Sequence, residues 1–166
     1  MNISRWIKGL LFLAFISLPL WMSIRKPATH APDVAFTTIT GEHIALKALQ
    51  GKPVLVTFWA TNCQKCVEEI PDLIALYKQF HEQGLEMIAI AMAYDQPNQV
   101  VAMTKDKQLP YAVVLDTSST YAKSFGPIWG TPTTVLYGKD GNIARRDVGA
   151  FELKDMQTRI EQLLKG

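Results

Sequence analysis

From Val34 onward, short apolar runs alternate with longer amphipathic stretches, the rhythm of an α/β domain. Ala35 to Thr40 reads as a short strand turned by Gly41-Glu42. Lys52-Pro53 introduces Val54-Leu55-Val56-Thr57-Phe58-Trp59, an apolar run suited to a central strand covered on both faces. Val67, Ile70, Leu73, Ile74, Tyr77 and Phe80 then recur at helical spacing, with Gly84 as the stop. Pro71 falls inside that helix and is expected to kink it. Leu85 to Ala93 reads as a second buried strand, Gln99 to Lys107 as a helix, Ala112 to Leu115 as a strand and Thr120 to Phe125 as a short helix. Thr133 to Tyr137 and Ile143 to Val148 are strands joined by Gly138-Lys139-Asp140-Gly141, a hairpin signal. Leu153 to Leu164 closes the chain as an amphipathic helix with Leu153, Met156, Ile160, Leu163 and Leu164 on its apolar face. The order is βαβ with an inserted unit, then ββα.

The first residues follow a different pattern. Gly9 to Ile24 is a run of 16 residues without a charge; Trp6 and Ile7 extend it, and Lys8 can snorkel towards lipid headgroups. That length lies between a signal-peptide core and a full span, so a retained signal anchor competes with a cleaved secretory signal. A cut after Ala31 would follow Thr29-His30-Ala31, a moderate match, and Arg25-Lys26-Pro27 is unusual for a cleavage region, which favours retention. Arg5 and Lys8 face Arg25 and Lys26 across the run, so loop charge leaves the orientation open. The expected organisation is an anchor over 1–26, a Pro-rich linker over 27–33 and a globular domain over 34–166, delivered outside the cytoplasm.

Charge changes this picture little. The chain of 166 residues has 17 Lys and Arg against 15 Asp and Glu, and four of the cations precede the first acid, Asp33. The domain is therefore nearly neutral and slightly acidic, without the basic stripe that nucleic-acid binding requires. Cysteine usage changes it more. The chain has 2 cysteines, Cys63 and Cys66, too few for a disulfide framework and short of the further ligands of a closed zinc site. A lone Cys-x-x-Cys suits thiol exchange: one thiolate attacks a disulfide and the second resolves the mixed disulfide.

The residues around that pair make the signal specific. Gly51-Lys52-Pro53, Phe58-Trp59-Ala60-Thr61-Asn62-Cys63-Gln64-Lys65-Cys66, Glu69-Ile70-Pro71 and Gly130-Thr131-Pro132-Thr133-Thr134 together resemble the TlpA/ResA-like, membrane-tethered branch of the thioredoxin superfamily. The resemblance runs from about Phe36 to the C-terminus. It implies an α/β thioredoxin fold, with a central mixed sheet flanked by helices on both faces, behind an N-terminal membrane anchor. It also implies a cis Thr131–Pro132 peptide facing the dithiol, and a single-pass protein of the bacterial inner membrane whose catalytic domain lies in the periplasm. A cleaved, soluble periplasmic form is the alternative. Residues 6–24 would make the membrane contact. Such proteins reduce disulfides in client proteins, often for cytochrome c maturation, and draw electrons from an upstream membrane or periplasmic dithiol protein. No flavin or nicotinamide motif is present, so the redox group expected is the Cys63–Cys66 disulfide itself, with no cofactor and no metal.

Roles follow by position. Cys63 is expected at a helix N-terminus, where unpaired N–H groups and the dipole favour its thiolate, with Cys66 one turn in and more buried. Lys65 adds a positive charge where relatives often have Pro. Glu69, three residues after Cys66, falls near the same helix face, and the resemblance gives it proton transfer from Cys66. Thioredoxin itself instead has an aspartate where this chain has Thr57. Thr131 and Pro132 are expected to bind substrate, Thr131 by offering its main chain to an incoming peptide. Trp59 is expected to divide between packing and the active-site rim, and Trp129 either lines the groove or packs beneath a loop. Asn62 departs from the aromatic that many relatives carry before the first cysteine. His30, His43 and His81 are scattered and read as non-catalytic.

Three rival readings share the fold. A peroxidase needs a threonine three residues before its cysteine, and Ala60 stands there. A Cu(I) metallochaperone would use the same dithiol but usually adds a distant histidine, and none follows His81. A thiol oxidase of this fold tends to carry a large helical insertion, which the chain has no room for, so reduction is favoured over oxidation.

Overall fold

The computed structural model describes residues 29–166. The anchor expected over 1–26 lies outside the described residues, as does the start of the linker. Among the described residues, no helix is long and apolar enough to cross a membrane.

The elements run β1 (Ala35–Thr37), β2 (His43–Ala45), a 3₁₀ turn (Leu46–Leu49), β3 (Val54–Trp59), α1 (Gln64–Phe80), β4 (Glu86–Ala91) and α2 (Pro97–Asp106). They continue with β5 (Ala112–Leu115), α3 (Thr120–Ser124), β6 (Thr133–Tyr137), β7 (Ile143–Val148) and α4 (Leu153–Lys165). Five strands form one mixed sheet in the order β5-β4-β3-β6-β7, with β3 parallel to β4 and antiparallel to β6. β1 and β2 pair as a separate antiparallel hairpin.

β3 is central because every one of its side chains finds apolar cover. Leu55 and Trp59 point into a core built with Leu73, Leu76 and Phe80 of α1, Val100 of α2 and Ile160 of α4. Val54, Val56 and Phe58 point to the opposite face, into a core closed by Phe36, Leu46, Ala122 of α3 and Phe125. Helices therefore cover both faces, as expected of a thioredoxin fold. Thr57, the one polar residue of β3, is satisfied inside: its Oγ1 accepts a hydrogen bond from Thr134 Oγ1 of β6 at 3.1 Å.

α1 continues through Pro71, whose missing N–H leaves the helix one bond short without ending it. The stop is at Gly84, where φ is +112°, a conformation that favours glycine. The strand expected over Ala35 to Thr40 is shorter than its apolar pattern, because the segment changes partner. Ala35–Thr37 pairs with β2, whereas Thr38 bridges to Val114 of β5. Thr29 to Ala31, the described start of the spacer, lies along the turn between β6 and β7: Ala31 N donates to Gly141 O and Ile143 N to Thr29 O, both at 2.8 Å.

Candidate active site

β3 ends at Trp59, and Ala60-Thr61-Asn62 turns the chain into α1. Cys63 is the N-cap of that helix, extended at φ −93°, ψ 102°. Its Sγ accepts a hydrogen bond from Cys66 N at 3.2 Å, the place that a serine or aspartate oxygen takes in other caps. The two residues are joined as a disulfide with their Cα atoms 5.2 Å apart. Cys63 is half-buried, whereas Cys66 is only 2% exposed. One sulfur thus meets solvent at the positive end of a helix, and the other faces inward.

The inward side holds an acid. Glu69 is 4% exposed; its Oε1 accepts from Phe151 N at 3.1 Å, while its Oε2 has no partner. Burial pushes its carboxyl up to about 7, with smaller upward pushes from Asp72 and Asp147 and an opposing pull from the Phe151 N–H. Glu69 and Cys66 line one small cavity together with Thr57, Trp59, Leu109 and Tyr111. Burial likewise raises the Tyr111 phenol, so it is neutral beside Glu69.

β6 completes the opposite wall. Thr133 pairs with Phe58, which puts Pro132 beside Trp59 at the same end of β3 as Cys63. The Thr131–Pro132 peptide is cis. Thr133 Oγ1 donates to Gly130 O at 2.6 Å, and Gly149 N donates to Pro132 O at 2.8 Å. Arg146 of β7 holds the preceding loop, donating to Phe125 O at 3.1 Å and Pro127 O at 2.8 Å. Among the described residues, Thr131 N–H and C=O bond to no other main-chain group.

The structure therefore brings Cys63, Cys66, Glu69, Thr131 and Pro132 to one end of the sheet. Trp59 is 4% exposed and lines the inner cavity, so it shows the packing half of its expected role rather than the rim half. Trp129 is 83% exposed, not packed beneath a loop. Two residues that sequence reasoning passed over also belong here. Asp95, on the loop after β4, accepts from both Thr61 N and Thr61 Oγ1 at 2.6 Å. Tyr94, 61% exposed, brings its Oη to 3.4 Å from Thr131 Oγ1. An aromatic-acid dipeptide after a buried strand was the available signal, but nothing local tied it to the dithiol. The histidines lie elsewhere: His30 bonds Asn142, His43 bonds Thr37 and His81 bonds Leu85 O. Among the described residues, no group of three or more His, Cys, Asp or Glu side chains is placed to hold a metal.

Comparison with known proteins meets the same end of the sheet. Residues 27–146 match the model of the AhpC/TSA family. The chain is 32% identical over 157 residues to the thiol-disulfide oxidoreductase ResA of Bacillus cereus, covering 93% of this chain and 84% of that protein. It is 25% identical over 170 residues to the thioredoxin-like protein YneN of Bacillus subtilis, covering 96% and 98%. A thiol:disulfide interchange protein of the thioredoxin family from Chlorobium tepidum superposes with a TM-score of 0.76 at 28% identity, over 84% of this chain and 97% of that one. A secreted Mycobacterium tuberculosis disulfide oxidoreductase, homologous to E. coli DsbE, shares the fold with a TM-score of 0.69 at 21% identity, over 79% and 96%.

Proposed function

The chain belongs to the AhpC/TSA family, with the ResA-like thiol–disulfide oxidoreductases, and on that premise we propose that its dithiol reduces disulfides of client proteins outside the cytoplasm. The supporting observation is the asymmetry of the pair, with Cys63 reaching solvent at a helix N-cap and Cys66 buried beside an acid. Reduced Cys63, as thiolate, attacks one sulfur of the client disulfide. A mixed disulfide forms between Cys63 and the client, and the client's other sulfur leaves as a thiolate that takes up a proton. Cys66 then gives its proton to the Glu69 carboxylate and attacks Cys63 Sγ. The second client thiol is released, and the Cys63–Cys66 disulfide remains. Two electrons have passed from the dithiol to the client, and an upstream dithiol protein of the membrane or periplasm must restore them.

Within this scheme, Thr131 pairs its main chain with the client and Pro132, which has no N–H, shapes the loop that presents it. The redox group is the disulfide alone. The uncharged run Gly9–Ile24 supports a retained single-pass anchor in a bacterial inner membrane, with the domain of 34–166 on the periplasmic side. The direction of electron flow is supported by the short stretch between β4 and Pro132, which holds α2, β5 and α3 and no helical domain. A peroxidase reading finds no support, since Ala60 offers no hydroxyl near Cys63.

The deciding measurement is the reduction potential of the Cys63–Cys66 pair in the full-length protein, titrated against dithiothreitol or glutathione. A value of roughly −270 mV supports a reductase, and one of roughly −120 mV makes the protein an oxidant.

A further inference from the structure

Two large aromatic side chains stand in solvent at the dithiol end of the sheet. Trp129 is 83% exposed and Tyr94 is 61% exposed, on separate loops. Tryptophan is ordinarily well covered in a folded domain, and Trp and Tyr are the residues that most often anchor a protein partner. Both flank the same point. Tyr94 Oη lies 3.4 Å from Thr131 Oγ1, and Trp129 is two residues before Thr131, whose main-chain groups bond to no other main-chain group among the described residues. An extended segment pairing there would pass between the two rings.

Charge says what that segment should carry. The stretches framing the dithiol, 59–66, 92–96 and 126–133, contain two charged side chains, Lys65 and Asp95. Asp95 is occupied by the Thr61 N–H and hydroxyl and by Gln96 N–H at 2.9 Å. Lys65 is exposed, directly between the cysteines. Glu68, on the following turn of α1, is held by Gln64 Nε2 at 2.8 Å. The docking surface is therefore aromatic, with one available cation beside the attacking sulfur.

We propose that Tyr94 and Trp129 form an aromatic clasp which, with Lys65, selects clients whose disulfide cysteine is flanked by a bulky apolar residue and an acidic residue. The apolar side chain fills the space between the rings, and the acid faces Lys65. This rests on Cys63 being the thiol that attacks the client.

The test uses the reduced, full-length protein and three disulfides. Two are synthetic peptides closed by one disulfide, the first with Leu and Glu beside each cysteine, the second with Gly and Lys. The third is hydroxyethyl disulfide, small and neutral. The Leu-Glu peptide should react at least about tenfold faster than the Gly-Lys peptide, the equivalent of about 1.4 kcal/mol. Trp129→Ser and Tyr94→Ser should each reduce that ratio severalfold, and Lys65→Glu should invert the charge preference. Equal rates for the two peptides, or a ratio unmoved by Trp129→Ser, would overturn the clasp. If none of the three disulfides reacts, the reductase reading fails, and the clasp is judged by calorimetric binding to the Cys63→Ser protein of the same peptides with their cysteines replaced by serine. Tighter binding of the Leu-Glu peptide then supports it, and equal binding overturns it.

Discussion

Asp95 grips Thr61 twice, taking its main-chain N–H and its hydroxyl at 2.6 Å each, and so fixes the turn that delivers Cys63 two residues later. The same loop carries Tyr94 to Thr131, so one short segment braces both the dithiol turn and the cis-proline loop.

Asp95→Asn keeps the volume but presents an amide N–H₂ to one of two donors. Loss of about 1–3 kcal/mol of stability is expected, read from urea unfolding. Thr61→Val should cost a similar amount, and the double variant should cost less than the two single losses added together. Fully additive losses would show that the two side chains do not act through each other.

Glu69 should make the protein less stable as the pH rises. Its folded carboxyl titrates at about 7, above the ordinary 4.5, so the native state holds a proton that the unfolded state releases. The stability is complete below pH 4.5 and lost as the pH passes through 7, by roughly 3 kcal/mol for a shift of this size. Glu69→Gln should flatten that slope in equilibrium unfolding at pH 4.5 and pH 8. It should also slow disulfide exchange above pH 7 several-fold, and a rate identical to wild type from pH 5 to 9 would remove Glu69 from the proton-transfer role.

The assignment of attacking and resolving sulfurs predicts a trapping asymmetry. Cys66→Ala should accumulate mixed disulfides with clients, visible on non-reducing gels and lost with dithiothreitol, whereas Cys63→Ala should accumulate none. The opposite pattern would exchange the two roles.

Thr57 and Thr134 are both almost fully buried and bond only to each other, at 3.1 Å. Thr134→Val alone should cost about 1–3 kcal/mol, because the Thr57 hydroxyl is left without its buried partner. Thr57→Val combined with Thr134→Val should recover most of that loss, since two apolar side chains of the same shape leave nothing unsatisfied. A double variant as unstable as the sum of the singles would mean the pair is held by packing instead.

What the sequence disclosed was whatever a single segment could encode. The buried strands β3, β5 and β6 were legible from their apolar runs, α4 from its helical spacing, and the stop of α1 from Gly84. The short β2 was not, because His43-Ile44-Ala45 is too brief to show a period and exists only through pairing with β1. The same limit applied at the site. Glu69 could be placed near Cys66 by helical spacing, but its burial depends on Phe151, which is 82 residues away. Asp95 is 34 residues from Thr61 and Tyr94 is 37 from Thr131, so their contribution required the sheet to be assembled first. Trp59 had equal claims to core and rim until α1 and α2 were packed against it.

The pairing of Thr29 and Ala31 with the turn between β6 and β7 also decides which way the protein faces. That turn is at the opposite end of β6 from Pro132, and the six residues of β3 alone separate the two ends by roughly 17 Å. Whatever holds the chain ahead of Thr29 therefore attaches at one pole while the sulfurs are displayed at the other. A domain tethered from that side turns its reactive end outward, towards partners that diffuse past it, and leaves the attachment free to lengthen or vary without disturbing the chemistry.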